Sequence, residues 1–164
     1  MPQTSWAAGQ RITAGGLNDL IPPSIQLVQP STSIPVGANT YTPVPFASVA
    51  QTNTPSMWSA GQPTRLVAPY AGTFLLHGFI GWPGTLGTAD ARGEFRTNGS
   101  ATPIATAKCG TQRGSTGNMA STLSGVVIFT AAAQYVELYL NHAAAGAVAI
   151  SATLGMTRVS FATS

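Results

Sequence analysis

Four carboxylates (Asp19, Asp90, Glu94, Glu137), two histidines (His77, His142) and one cysteine (Cys109) are the groups in this chain able to carry acid–base, nucleophilic or metal chemistry. Hydrolysis by paired carboxylates needs two acids in one cleft. Asp90 and Glu94 are four apart, which on a strand puts them on one face but about 13 Å from each other along it. Glu94 lies between Arg92 and Arg96, and the expected arrangement is a solvated surface ion pair. A zinc site takes three or four His, Cys or acidic ligands, and neither histidine has a second ligand close in sequence. Nothing local supports a nucleophile pair of Cys109 with either histidine, so an inert thiol is expected. The stretches GWPGTLG and GTQRGSTG lack the Gly-Lys-Ser/Thr signature of a phosphate loop and read as turns. The expectation is a protein that is not an enzyme, with no catalytic residue, no metal and no cofactor.

The 164 residues carry seven Lys and Arg and four Asp and Glu, or 7% charged, against about 25% in ordinary soluble domains. Yet 44% are hydrophobic, more than a disordered chain would hold. The chain should therefore fold, with a surface of Thr, Ser, Asn, Gln, Ala and Gly. A surface so poor in charge is weakly protected against association, which points to packing against copies of itself or a partner. The basic residues Arg11, Arg65, Arg92, Arg96, Lys108, Arg113 and Arg158 are dispersed, and no basic run or aromatic–basic stripe marks a nucleic-acid surface. No apolar run approaches the about 18 residues of a spanning helix, and the first residues lack a basic segment followed by an apolar run. Neither nucleic acid nor membrane is an expected partner, and synthesis in a cytoplasm is expected.

The elements that must position these side chains are strands. Thr73–Trp82 is the strongest: Phe74, Leu76, Ile80 and Trp82 share one face, and Leu75, His77 and Phe79 the other. Apolar residues on both faces predict a strand covered on both sides. Ala91–Thr97 alternates, with Arg92, Glu94 and Arg96 opposite Ala91, Gly93 and Phe95, and ends at Asn98-Gly99, a strong hairpin signal. Ile104–Lys108 is the expected return strand, and residues 110–118 an exposed loop. Further strands are predicted over Ile25–Gln29, Tyr41–Ala50 (irregular at Pro43 and Pro45), Arg65–Ala68, Ala120–Thr130, Gln134–Asn141, Ala147–Ala152 and Gly155–Ala162. Along Gln134–Asn141, Val136, Leu138 and Leu140 point one way and Tyr135, Glu137 and Tyr139 the other. About eight to ten short strands between Gly- and Pro-rich turns predict an all-β sandwich or jelly roll.

Ahead of these strands, a short helical turn is expected, with Thr13 as its cap and Leu17 and Leu20 on one side, stopped by Pro22 and Pro23. Two units are expected: an arm over residues 1–24 and a body over residues 25–164.

Three segments of the body carry a family likeness. RLVAPYAGTFLLHGFIGW, ARGEFRTNGS and SGVVIFTAAAQYVELYLNHAAAG resemble, in order, the long buried strand, the Arg-containing strand ending in Asn-Gly and the late hairpin of tumour-necrosis-factor-like and complement-head jelly rolls. Where that family often has an acid before the aromatic of the late turn, this chain has Gln134. The resemblance spans residues 25–162 and implies a homotrimer associating through aromatic and aliphatic faces, for which Phe79, Tyr135, Tyr139 and Phe161 are the candidates. The arm, with Trp6, Ala8, Gly9, Gln10, Ile12, Thr13, Leu17 and Asn18, resembles the N-terminal leaders of small virion proteins of tailed bacteriophages. Together the two likenesses imply a phage virion surface protein, a trimeric decoration or minor capsid protein. Trp6, Ile12, Leu17 and Leu20 would anchor it to the major capsid protein or another virion protein. The alternative is a minor tail or fibre-tip protein that binds a receptor or glycan on the host surface.

Overall fold

A computed structural model describes residues 21–35, 40–86, 89–109 and 117–161, of which 105–109 and 160–161 as backbone. The arm residues Trp6, Ile12, Leu17 and Leu20, the side chains of Cys109 and Phe161, and most of the 110–118 loop lie outside the described residues. Ten strands follow in order: β1 (Ser24–Ile34), β2 (Thr42–Pro43), β3 (Ser48–Thr52), β4 (Arg65–Val67), β5 (Gly72–Trp82), β6 (Ala91–Thr97), β7 (Pro103–Cys109), β8 (Met119–Phe129), β9 (Tyr135–His142) and β10 (Val148–Phe161). They make two antiparallel sheets, β3-β1-β10-β5-β8 and β2-β9-β6-β7, with β2 and β4 end to end along one edge of β9. This is a jelly-roll sandwich, as the sequence predicts.

Period-two alternation supplies the core. Phe74, Leu76, Ile80 and Trp82 of β5 are buried, and from the facing sheet Phe95, Val136, Leu138 and Leu140 meet them. Phe74 and Phe129 pack as a tilted pair with centroids 5.6 Å apart, a favoured aromatic geometry. The β6–β7 connection turns at Asn98 (φ 51°) and Gly99 (φ 69°), with Ser100 N donating to Thr97 O at 2.9 Å. Both central residues in the left-handed region make this the hairpin turn that Asn-Gly favours.

The structure departs from the expected strands in three places. The two segments Ala147–Ala152 and Gly155–Ala162 are one fourteen-residue strand, β10, because it lies between β1 and β5 and is hydrogen-bonded along both edges. Ile25–Gln29 runs on to Ile34, with a register shift between Gln29 and Thr32 that absorbs Pro30. Tyr41–Ala50 is split: β2 joins one sheet and β3 the other. Pro43 and Pro45 fall at and just after the end of β2, where a missing N–H is tolerated. In the crossing between the sheets Val44 N donates to Leu138 O, and Phe46 N to Pro63 O.

Candidate functional site: an uncharged open sheet face

The outer face of the β3-β1-β10-β5-β8 sheet is built from the residues that alternate with the core. Register sets its rows. Leu75 stands beside Val126 on β8 and Thr157 on β10; His77 beside Ser124 and Gly155; Phe79 beside Thr122 and Thr153. Gln26 and Val28 of β1 extend the rows of His77 and Phe79. Leu75, Phe79, Val126, Ile128 and Val159 are exposed, Ile128 by 70% and Phe79 by 39%. Among the described residues no Asp, Glu, Lys or Arg lies on this face. The sequence predicts cover on both sides of β5; within one chain it is covered on one.

The face ends in an open groove of about 430 Å³ between Phe79, Gly81, Ala120 and Ser151 on the sheet and Pro30, Ser31, Pro83 and Asn118 on the rim. The β1 register shift produces its rim, since Pro30 and Ser31 have no paired partners on β10.

Most of the described charge is gathered on the other sheet; Arg158 of β10 is buried, with Nη2 donating to Ala71 O at 2.8 Å. Arg65, Glu137 and Arg96 stand in one cross-strand row, and Tyr139, Glu94 and Lys108 occupy the next by register. Arg96 Nε donates to Glu94 Oε1 at 2.6 Å, and its guanidinium lies between the rings of Tyr41 (4.6 Å) and Tyr139 (4.5 Å). Arg65 pairs with Glu137 at 3.5 Å and covers the Tyr135 ring at 4.2 Å. Thr64 Oγ1 and Tyr139 Oη donate to the two Glu137 oxygens, at 2.6 and 3.2 Å. Burial pushes the Tyr139 and Tyr41 phenols above their usual range, and the negative charge of Glu137 and Glu94 adds to it. The expectation of a solvated pair at Glu94 is corrected here: Glu94 and Glu137 are each only 4% exposed. Flanking arginines read as solvent partners in the sequence, but the tyrosine rings of β9 and of the segment before β2 close over Arg96, while Arg92 stays exposed.

The remaining chemical groups are dispersed. His142 is buried, with Nε2 3.1 Å from Ile34 O. His77 is in the opposite sheet, and Arg92 pairs loosely with Asp90 at 4.0 Å. Among the described residues no three His, Cys, Asp or Glu side chains gather. Gln134 braces the late turn, where its Oε1 accepts from Thr130 N and Ala131 N, at 2.7 and 3.1 Å.

Of the expected interface residues, Phe79 is on the open face, whereas Tyr135 and Tyr139 are on the outer face of the charged sheet, stacked with arginine. The structure thus does not bring the candidates together on one surface. Sequence reading missed Leu75, Val126, Ile128 and Val159 as a surface; the signal was present in β8, where Val126 and Ile128 alternate with Val127 and Phe129.

What the open face can do is exclude water against another uncharged surface. Covering a large apolar side chain fully is worth about 1.5–3 kcal/mol, so five that are part-exposed contribute on the order of 1 kcal/mol each.

No family model and no curated protein matches the sequence. Solved structures do. The chain is similar to the PRD1 vertex protein P5 (TM-score 0.61, 10% identity, 85% of this chain and 99% of that one). It is similar to murine APRIL (TM-score 0.60, 13% identity, 84% and 99%). It is also similar to the globular domain of zebrafish complement 1qA protein (TM-score 0.56, 11% identity, 84% and 98%). At 10–13% identity the likeness is one of fold, and that fold is the tumour-necrosis-factor and complement-head jelly roll.

Proposed function

We propose that this chain is a non-enzymatic structural protein of a tailed-phage virion: a homotrimer on the capsid exterior, held there by its N-terminal arm. The observation that carries the self-association is the uncharged outer face of the five-stranded sheet, with Leu75, Phe79, Val126, Ile128 and Val159 exposed on one side of a sandwich whose other side holds the charge. A contiguous apolar face on a monomer marks an interaction site, and copies of one chain close such faces by rotational symmetry. The virion assignment draws on the leader-like arm sequence, with Trp6, Ile12, Leu17 and Leu20 as its apolar contacts, and on the fold shared with the PRD1 vertex protein P5.

Two measurements test this. Light scattering on the purified chain should give a trimer at micromolar concentration, with more than about 1,200 Å² buried in each pairwise contact; a monomer mass overturns it. Particles lacking this protein should then be coated by the full chain but not by a chain without residues 1–22, because three arms act together through high effective concentration. Equal coating by the truncated chain overturns the anchor. Particle copy numbers in the hundreds support a capsid decoration, whereas a few to some tens move the protein to the tail, as a host-binding part.

A further inference from the structure

His77 stands in the middle row of the open face and is the one titratable side chain on it among the described residues. Its ring lies over Gly155 of the neighbouring strand: a Cβ built there would stand 1.9 Å from Cε1 and 2.0 Å from Nε2. The imidazole therefore fills the notch that glycine leaves in β10. The positions facing it are Ser124 on β8, Thr153 and Thr157 on β10, Gln26 on β1 and Gln51 on β3. No acid, Lys, Arg, Tyr or second His faces it from any of these strands.

We propose that His77 makes the self-association pH-sensitive, a step that rests on the homotrimer reading: the assembled form takes the neutral imidazole, and acid drives the chains apart. Closing the face removes water from the ring, and among the described residues no carboxylate faces it to compensate an imidazolium. A neutral ring needs only hydrogen bonds, which Ser, Thr and Gln side chains can supply. The assembled state then binds fewer protons than the separated chains. Protonation of the ring therefore weakens association, and the loss grows as the solution is acidified.

The test is sedimentation of the full chain at pH 7.5 and 5.5, with circular dichroism at both. The wild type should be trimeric at pH 7.5 and dissociate to a folded monomer at pH 5.5, reversibly. His77→Gln and His77→Phe, which remove the charge while keeping a polar or a ring contact, should be trimeric at both. A wild-type trimer equally strong at both pH values overturns the switch and leaves the homotrimer reading intact. A wild type monomeric at pH 7.5 overturns the homotrimer reading itself. A substituted trimer that weakens at pH 5.5 as the wild type does, or a wild type that unfolds there, places the acid effect elsewhere and overturns the role of His77.

Discussion

Arg96 shows how this chain tolerates ionised groups in a sheet that is nearly closed to water. It is held by Glu94 on its own strand and by two tyrosine rings from neighbouring segments. Arg96→Met should leave the Glu94 carboxylate buried without its cation, at a cost of about 3–5 kcal/mol in urea unfolding. Arg96→Met with Glu94→Leu should recover most of that loss, because an apolar pair no longer has a charge to desolvate. Arg65→Met should cost about 1 kcal/mol or less: Arg65 is 37% exposed, and Glu137 keeps Thr64 and Tyr139. The same cluster sets the alkaline limit. Tyr139 and Tyr41 hold their protons more tightly in the folded chain than unfolded. Their contribution is therefore fully present below about pH 10 and declines as pH rises through the folded values. Denaturant midpoints should be flat from pH 8 to about 9.5 and fall above it, and the fall should be shallower in Tyr139→Phe.

Among the elements, the β6–β7 hairpin is the one whose geometry a dipeptide dictates. Asn98 does two things there: it adopts φ 51°, and its Oδ1 accepts from Tyr135 N at 2.9 Å, tying the turn to β9. Asn98→Ala gives up both and should cost about 1–2 kcal/mol in thermal unfolding, with Asn98→Gly closer to the wild type since glycine takes the positive φ without strain. β10 teaches the opposite lesson. Its sequence, with Gly155 in the middle, reads as two strands, yet ladders on both edges hold it as one. Local preference decides where a turn is tight and self-contained, and sheet neighbours decide where a strand is central.

At the scale of the whole molecule, exposed charge and the exposed apolar cluster of the open face lie, among the described residues, on opposite sheets, Arg158 of β10 being buried. Leu75→Arg, at an exposed position, should leave the circular dichroism of the chain unchanged while abolishing the trimer in light scattering, since it places an unpaired cation in a dry contact. Of the ion pairs on the other sheet, Arg96–Glu94 is buried and little screened, and the more exposed Arg65–Glu137 and Arg92–Asp90 pairs contribute little. Melting of the chain should accordingly shift by only a few degrees between low and molar sodium chloride.

Most of the strands, and the face their residues take, were legible in the sequence because an alternating apolar pattern and an Asn-Gly turn act within a few residues. Phe74, Leu76, Ile80 and Trp82 went to the core as their spacing required. The two-sided apolar character of β5 already implied an outside cover, but not which residues would share the open surface. That depended on which strands became neighbours: β8 set Val126 beside Leu75, while β4 and β6 set arginines against Tyr135 and Tyr139. The sequence also placed Glu94 among arginines, but only the closing of tyrosines from two other segments took it out of water. Periodicity along a chain fixes the side a residue points to. Burial, charge pairing and the make-up of a surface arise from contacts between segments far apart in sequence, and these the tertiary structure alone decided.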